Sequence, residues 1–453
     1  MNSPRAGWLV VGTVCLGALL GQLDASIVTL ALPAIRTDLG GSVGAVEWVS
    51  LSYLLSLVAL LVPVGRAADV LGRKALYQVG FGLFTAASIG CAVAPSLLLL
   101  DLARVVQGAG AALLQANSTA LVVQAAPPGR LGQAIGLQGA AQALGLALGP
   151  TVGGALLAVG SWRLLFLVGV PFGLLGLVAG ILLLPRTRDL ELPDQRRYDT
   201  LGLLAVVAAT GLVLLGLSFA AQPHPPLPVA IGALAASALA ATAAIVRQHS
   251  AGRRGRLPAL DSMLLASVPF RRGLGGALVG YAATFGVLFA VPFYLVQQAH
   301  MAPLRAGLLL GALPIALGLA APFGGRWADR IGTARVSAAG LTLSAVGFVA
   351  LVVEDPRPLA LVAALSVIGL GLGLFTPANN AAVMAAAPVA RAGAAAGLLN
   401  MTRALGTALG VAIAALAYDL AGTHGGPSAG LRSVSALFAA CLLVAAGWNL
   451  RRR

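Results

Sequence analysis

Acidic residues are scarce: the 453-residue chain has 14 Asp and Glu against 29 Lys and Arg. Charged residues of both signs make up only 9% of it, far below the roughly 25% of a soluble domain. A water-soluble globular protein of this size is excluded, because the polar surface it would need is missing. Cysteine is as rare. Cys15, Cys91 and Cys441 each sit in an apolar run, which predicts free thiols and no disulfide framework. The four histidines, His224, His249, His300 and His424, read as loop residues with no Cys or carboxylate at metal-ligand spacing. There is no Gly-x4-Gly-Lys-Ser/Thr loop, which argues against ATP drive. Neither metal, nor cofactor, nor enzymatic activity is expected.

Apolar residues and glycine are abundant: 59% of the chain is hydrophobic and 58 residues are Gly. Closely packed transmembrane helices have this composition. Apolar stretches of spanning length, roughly 17–25 residues, recur at Trp8–Ile35, Val46–Val64, Ala75–Ala94, Leu97–Val123, Ile135–Val159, Leu164–Leu184 and Leu201–Ala221. They continue at Val229–Val246, Leu274–Gln297, Ala306–Phe323, Val336–Val353, Leu359–Ala385, Ala394–Tyr418 and Val434–Leu450. The expected fold is an all-α membrane protein with fourteen transmembrane helices. Trp8 to Leu32 is too long for the apolar core of a cleavable signal and lacks a small-residue cleavage site, so no signal peptide is expected.

The net charge of +15 raises the question of nucleic acid, but the placement of the basic residues answers it differently. With the N-terminus inside, most Lys and Arg fall in loops on that side, including Arg73, Lys74, Arg130, the Arg186–Arg197 stretch, the Arg247–Arg272 stretch and Arg391. Only Arg36, Arg163, Arg305, Arg357 and Arg432 fall outside, and Arg104 and Arg403 lie within the membrane. The positive-inside rule then puts both termini in the cytoplasm of a multi-pass protein of the cell's inner (plasma) membrane, with no nucleic-acid partner. Trp8, Trp48, Trp162, Trp327 and Trp448 fall near segment ends, where an interfacial belt places them.

Two charged stretches divide the chain. Residues 1–185 form an N-terminal six-helix bundle, 186–272 a two-helix insert with a basic loop, and 273–453 a C-terminal six-helix bundle. Part of the basic loop, Ala259–Phe270, could lie as a short helix on the inner surface. An internal repeat supports the division. Gly65-Arg-Ala-Ala-Asp69-Val-Leu-Gly72-Arg73 follows the second segment, and Gly325-Arg-Trp-Ala-Asp329-Arg-Ile-Gly332 follows the tenth. Both read as inner loops whose glycines allow a tight turn and whose Asp can face a helix N-terminus. Duplicated halves around a central cavity are a transporter signature.

The fourth segment holds Asp101, Arg104 and Gln107, three residues apart and so on roughly one helix face. Intramembrane ionisable groups face a partner or an aqueous cavity and mark functional sites by default. Asp24 is the lone acid of the first segment, at a depth where it can meet Arg104. A carboxylate beside a movable arginine suits proton exchange, while a static ion pair joining two helices is the plain alternative. Asp101 is a rival proton site. The small residues from Gly145 to Gly154, including Gly149, Pro150, Gly153 and Gly154, suit a kinked, tightly packed gate, or equally ordinary close packing. Candidate cavity residues are Gln115, Asn117, Gln138, Gln142, Tyr281, Phe285, Phe289, Asn379, Asn380, Asn400 and Arg403. For the aromatics, lipid contact or core packing is the simpler reading.

Several motifs together resemble the major facilitator superfamily, specifically its fourteen-helix drug:proton antiporter branch. Leu23-Asp24-Ala-Ser-Ile-Val-Thr-Leu-Ala-Leu-Pro33 is similar to that branch's first-helix motif. Gly65–Leu76 resembles the inner-loop motif, Arg104-Val-Val-Gln107-Gly108 the fourth-helix motif, and Gly145-Leu-Ala-Leu-Gly149-Pro150-Thr-Val-Gly153-Gly154 the fifth-helix antiporter motif. Trp162-Arg-Leu-Leu-Phe166 and Asn400-Met-Thr-Arg403-Ala-Leu-Gly406 match places typical of the branch. Departures are Val70 where a basic residue is usual, Ala67 where Leu is common, and Thr333-Ala334 in place of basic residues in the second copy. Asp101 lies outside the common pattern. The resemblance implies export of hydrophobic or amphipathic drugs or secondary metabolites in exchange for protons, by a monomer in the lipid bilayer. Export of an endogenous lipid or anionic metabolite, and a non-transporting membrane sensor, are the alternatives.

Overall fold

A computed structural model describes residues 4–40, 43–185, 199–220, 227–253, 262–297, 301, 308–353, 357–388 and 391–450. Every regular element among them is helical. In hydrocarbon each backbone N–H and C=O must find its partner within the protein, and a helix supplies those partners locally.

The first half comprises α1 (Pro4–Leu39), α2 (Val43–Leu71), α3 (Arg73–Ala92), α4 (Leu97–Ala125), α5 (Leu131–Val159), α6 (Arg163–Leu167) and α7 (Gly169–Leu183). The last two are one apolar span broken at Val168. Then come α8 (Thr200–Ala220), α9 (Leu227–Arg253) and the short α10 (Ser262–Ala266). The second half comprises α11 (Val268–Gln297), α12 (Ala312–Ile331), α13 (Thr333–Val353) and α14 (Pro358–Ala385). A final helical run from Ala392 to Leu450 is broken at Gly426, whose φ of 75° only glycine adopts easily. Gly426 separates α15 (Ala392–Tyr418) from α16 (Ser428–Asn449). Thirteen helices among the described residues are long and apolar enough to cross a membrane, and α8 holds a shorter apolar stretch, Leu204–Val213.

Each half has its own core. In the first, α1 packs on α5, and α2 and α3 pack on α4. Tyr77, Phe81 and Phe84 fill the space between them. In the second, α12 and α13 pack on α14, and Phe348, Phe375 and Phe438 lie in the core. Large apolar residues point outward, among them Leu182 at 75% and Leu359 at 82% exposure. Water would tolerate such a surface poorly, whereas lipid tails match it. The α8–α9 hairpin leans on α2 and on the final helical run.

Three sequence expectations need correction. The repeated motifs are mostly helix: α2 runs on to Leu71 and α12 to Ile331. A single glycine in each copy makes the turn, Gly72 with φ 89° and Gly332 with φ 96°. His249 lies in α9 and His424 in the final helical run, so neither is a loop residue. Of the surface helix expected over Ala259–Phe270, the described residues form the short α10 (Ser262–Ala266) and the start of α11 at Val268, and residues 259–261 lie outside the described residues.

Candidate transport site

Five elements of the first half converge on one buried polar cluster. Arg104, in α4, is 1% exposed and donates to Asp24 Oδ2 in α1 at 2.7 Å. Its Nε donates to the Val49 carbonyl in α2 at 2.9 Å, and its Nη1 to Gln107 Oε1 at 2.6 Å. Gln107 closes the ring by donating from Nε2 to Asp24 Oδ1, and to Ser88 Oγ of α3, both at 2.8 Å. The Tyr53 ring lies 4.2 Å from the guanidinium carbon and Phe166, in α6, lies 5.7 Å away. The pair is thus desolvated, with both carboxylate oxygens and the guanidinium Nε and Nη1 hydrogen-bonded, as burial of a charge pair demands. Removing one partner of such a pair typically costs about 3–5 kcal/mol.

Tyr53 separates this cluster from a cavity of about 690 Å³ between the two halves. The cavity walls come from α1, α2, α4 and α5 on one side and α11, α12, α14 and α15 on the other. Gln115, Gln142, Tyr281, Phe285, Phe289, Asn400 and Arg403 all line it. Its size falls within the ordinary range for small-molecule sites, roughly 300–1,000 Å³.

The halves meet tightly at the end carrying the repeated motifs. Asp329, in the second motif copy, accepts from the backbone N–H of Gly132 at 2.7 Å and of Gln133 at 3.1 Å. It therefore caps the N-terminus of α5 across the two halves, where unsatisfied N–H groups and the helix dipole favour an anion. The backbones touch beside it. A Cβ on Gly132 or Gly325 would collide with the carbonyl oxygen of the other. In the first copy, a Cβ on Gly65 would come within 2.6 Å of the Gly393 carbonyl oxygen. The glycines at the start of each motif are therefore contact surfaces between halves.

A family model described as the Major Facilitator Superfamily matches residues 14–199 and 273–453. The chain belongs to the major facilitator superfamily. It is 31% identical to the riboflavin transporter RibZ of Clostridioides difficile, over 89% of this chain and 87% of that one. It is 32% identical to the multidrug resistance protein B homolog of Mycobacterium tuberculosis, over 90% of this chain and 75% of that one. Its fold matches the human organic anion transporter MFSD10 (TETRAN) with a TM-score of 0.68 at 19% identity, covering 97% and 99% of the two chains. That likeness concerns the fold alone. The chain is thus a multi-pass membrane transporter and not an enzyme.

Several residues singled out in the sequence of this facilitator do not reach the cavity wall. Asn117 donates to the Leu113 carbonyl of its own helix, Gln138 to Ser118 Oγ, and Asn379 to the Gly273 carbonyl. Their amide nitrogens are committed to helix contacts, while Asn117 Oδ1 is buried with no hydrogen-bond partner among the described residues, and Asn380 is buried beside Asn379. Asp101 does not join the cluster one turn away: its Oδ1 is buried without a hydrogen-bond partner among the described residues. Gly149 packs against Ser26 and Gly145 against the Leu19 carbonyl, binding α5 to α1. Gly153 is buried while Gly154 faces open space. Arg73 is buried at the start of α3. The side chains of Asp69 and Pro150 lie outside the described residues.

Sequence reasoning placed neither Tyr53 nor Phe166 in the cluster, whereas the helix N-terminus expected to face the repeated Asp is found at Asp329. Tyr53 and Phe166 are aromatics in apolar runs, with no local sign that they flank an arginine. Asp329 was visible as the second copy of a motif. Trp162 and Arg163 form a further contact group at the opposite end from the motifs. Trp162 Nε1 donates to Asp38 Oδ2 at 3.0 Å, Arg163 also pairs with Asp38, and its guanidinium stacks 4.4 Å from the Trp162 ring. The Arg163 hydrogen bond, and then that from Trp162, hold the Asp38 carboxyl below the usual carboxylate range.

Proposed function

We propose that this chain is a proton-coupled antiporter that exports hydrophobic or amphipathic drugs or secondary metabolites by alternating access. The observation that carries the reading is the buried Asp24–Arg104–Gln107 ring, set behind the wall of a cavity between two halves. An ionisable pair at this depth is expensive to keep and gains a role if it changes protonation during the cycle. The multidrug resistance relative supports substrates of that general kind, and the riboflavin transporter relative supports a small organic molecule as cargo.

In this reading the chain crosses the plasma membrane fourteen times, with α8 and α9 as an insert between two six-helix bundles and both termini cytoplasmic. Support comes from the charge asymmetry of the loops and from the family match, which leaves out residues 200–272. The motif end is then cytoplasmic, and the Asp329 cap holds it shut. A proton arriving from outside neutralises Asp24 and frees Arg104 from its carboxylate partner. The ring around Gln107 rearranges, and the relative stability of the two facing states shifts. Proton release inside restores the pair for the next ligand. The transporter acts as a monomer, with Asp69, the counterpart of Asp329 in the first motif copy, as a second gating acid.

Everted membrane vesicles with an imposed pH gradient test this. Asp24→Asn should insert normally but lose gradient-driven substrate accumulation by at least tenfold. Undiminished accumulation in Asp24→Asn would exclude Asp24 as the coupling site.

A further inference from the structure

The two buried arginines of the site are treated differently. Arg104 is matched by a carboxylate. Arg403, in α15, is 4% exposed, yet no carboxylate pairs with it among the described residues. Its Nη1 donates to Asn400 Oδ1 at 2.8 Å, the Tyr281 ring lies 5.4 Å from its guanidinium carbon, and its Nε has no hydrogen-bond partner among the described residues. Arg403 lines the cavity, and it is the one charged side chain among the described residues that do. A buried guanidinium with an idle donor and no counter-charge is an anion site awaiting its ligand.

The wall beside it has a shape to match. Tyr281 and Phe285 are one helical turn apart on α11, with rings 6.4 Å apart and inclined by only 20°. The two rings are stacked on each other, and with Phe289 they give this part of the cavity wall its aromatic surface, the Tyr281 ring lying against Arg403. Flat faces favour offset stacking with planar rings. The amides of Gln22, Gln115 and Gln142 are among the neutral polar groups that the first half contributes to the wall.

We propose that the cavity selects planar aromatic anions, with the acid group on Arg403 and the ring system against Tyr281 and Phe285, and that it discriminates against lipophilic cations. The inference rests on the export reading for its biological meaning, but its test does not. Binding to purified protein in detergent requires neither protons nor transport, so failed pH-driven export would leave the binding result standing.

Fluorescein and rhodamine 6G share a xanthene ring system and carry opposite charge. Fluorescence anisotropy of each should be measured with the full-length wild type, Arg403→Gln and Arg403→Lys. Fluorescein affinity should fall about tenfold or more in Arg403→Gln and be largely kept in Arg403→Lys, whose charge remains. Rhodamine 6G binding should be unchanged or improved in Arg403→Gln. Tyr281→Leu should weaken fluorescein binding several-fold with Arg403 intact. Thermal unfolding of each variant controls for folding. Equal fluorescein affinity in wild type and a folded Arg403→Gln would overturn the proposal, as would rhodamine 6G binding that depends on Arg403.

Discussion

Gln107 decides whether Asp24 and Arg104 behave as a pair or as a network. It touches both, and anchors them to Ser88 on a third helix. Gln107→Leu keeps the volume and removes the bridge, taking from Asp24 Oδ1 the donor that Gln107 supplies. The expected loss is about 1–3 kcal/mol of stability from the unsatisfied acceptor, measured by thermal unfolding in detergent, together with weaker proton-driven transport. Asp38 makes a contrasting prediction. Its carboxyl titrates below the usual value because Arg163 and Trp162 donate to it. Its contribution is therefore present above about pH 3.9, the unperturbed value, and is lost as pH falls through the lower folded value. Asp38→Asn should thus differ from wild type in thermal stability at neutral pH and converge with it in strong acid. A persistent gap in acid would mean that the carboxylate charge is not what Asp38 contributes. The polar partners were legible at this scale because a charge in an apolar segment is conspicuous. Asn117 and Gln138 were not separable from cavity residues, since an amide bonded within its own helix or to a neighbouring one looks the same in sequence as one facing a cavity.

Helix α5 shows how an element is recruited by the opposite half. Its small-residue face packs on α1 at Gly145 and Gly149 and on α12 at Gly132 and Gly136, and its N-terminus is capped by Asp329. Losing a helix cap costs about 1 kcal/mol, a shift of roughly fivefold in a two-state equilibrium. Asp329→Ala should therefore raise access to the cavity from the motif side several-fold, read by labelling a cysteine placed at Ala143. Gly132→Val should act more strongly, because its side chain meets the Gly325 carbonyl. Unchanged labelling in both variants would mean that this contact does not hold the halves closed. Helix existence was legible because a bilayer leaves the backbone few alternatives. The helical course of Gly65–Leu71 was not, because glycine signals a turn and a close approach alike, and only tertiary packing separates the two.

At the scale of the whole molecule the halves divide the labour. The first holds the ionisable ring, the second contributes the aromatic wall and Arg403, and the cavity lies between them. The internal repeat made two halves readable from sequence. The cavity was only partly so, since which side of a uniformly apolar helix faces inward depends on its neighbours. Tyr53 is where the two functions touch, one side against Arg104 and the other in the cavity wall. Coupling between ligand and proton is the central claim, and proton release on ligand binding tests it most directly. Fluorescein added to purified, weakly buffered wild type should change the bulk proton concentration in proportion to occupancy. Asp24→Asn should still bind the dye and release nothing, while Asp101→Asn should release protons as wild type does. Release that persists in Asp24→Asn and disappears in Asp101→Asn would contradict the account and move the proton site to Asp101.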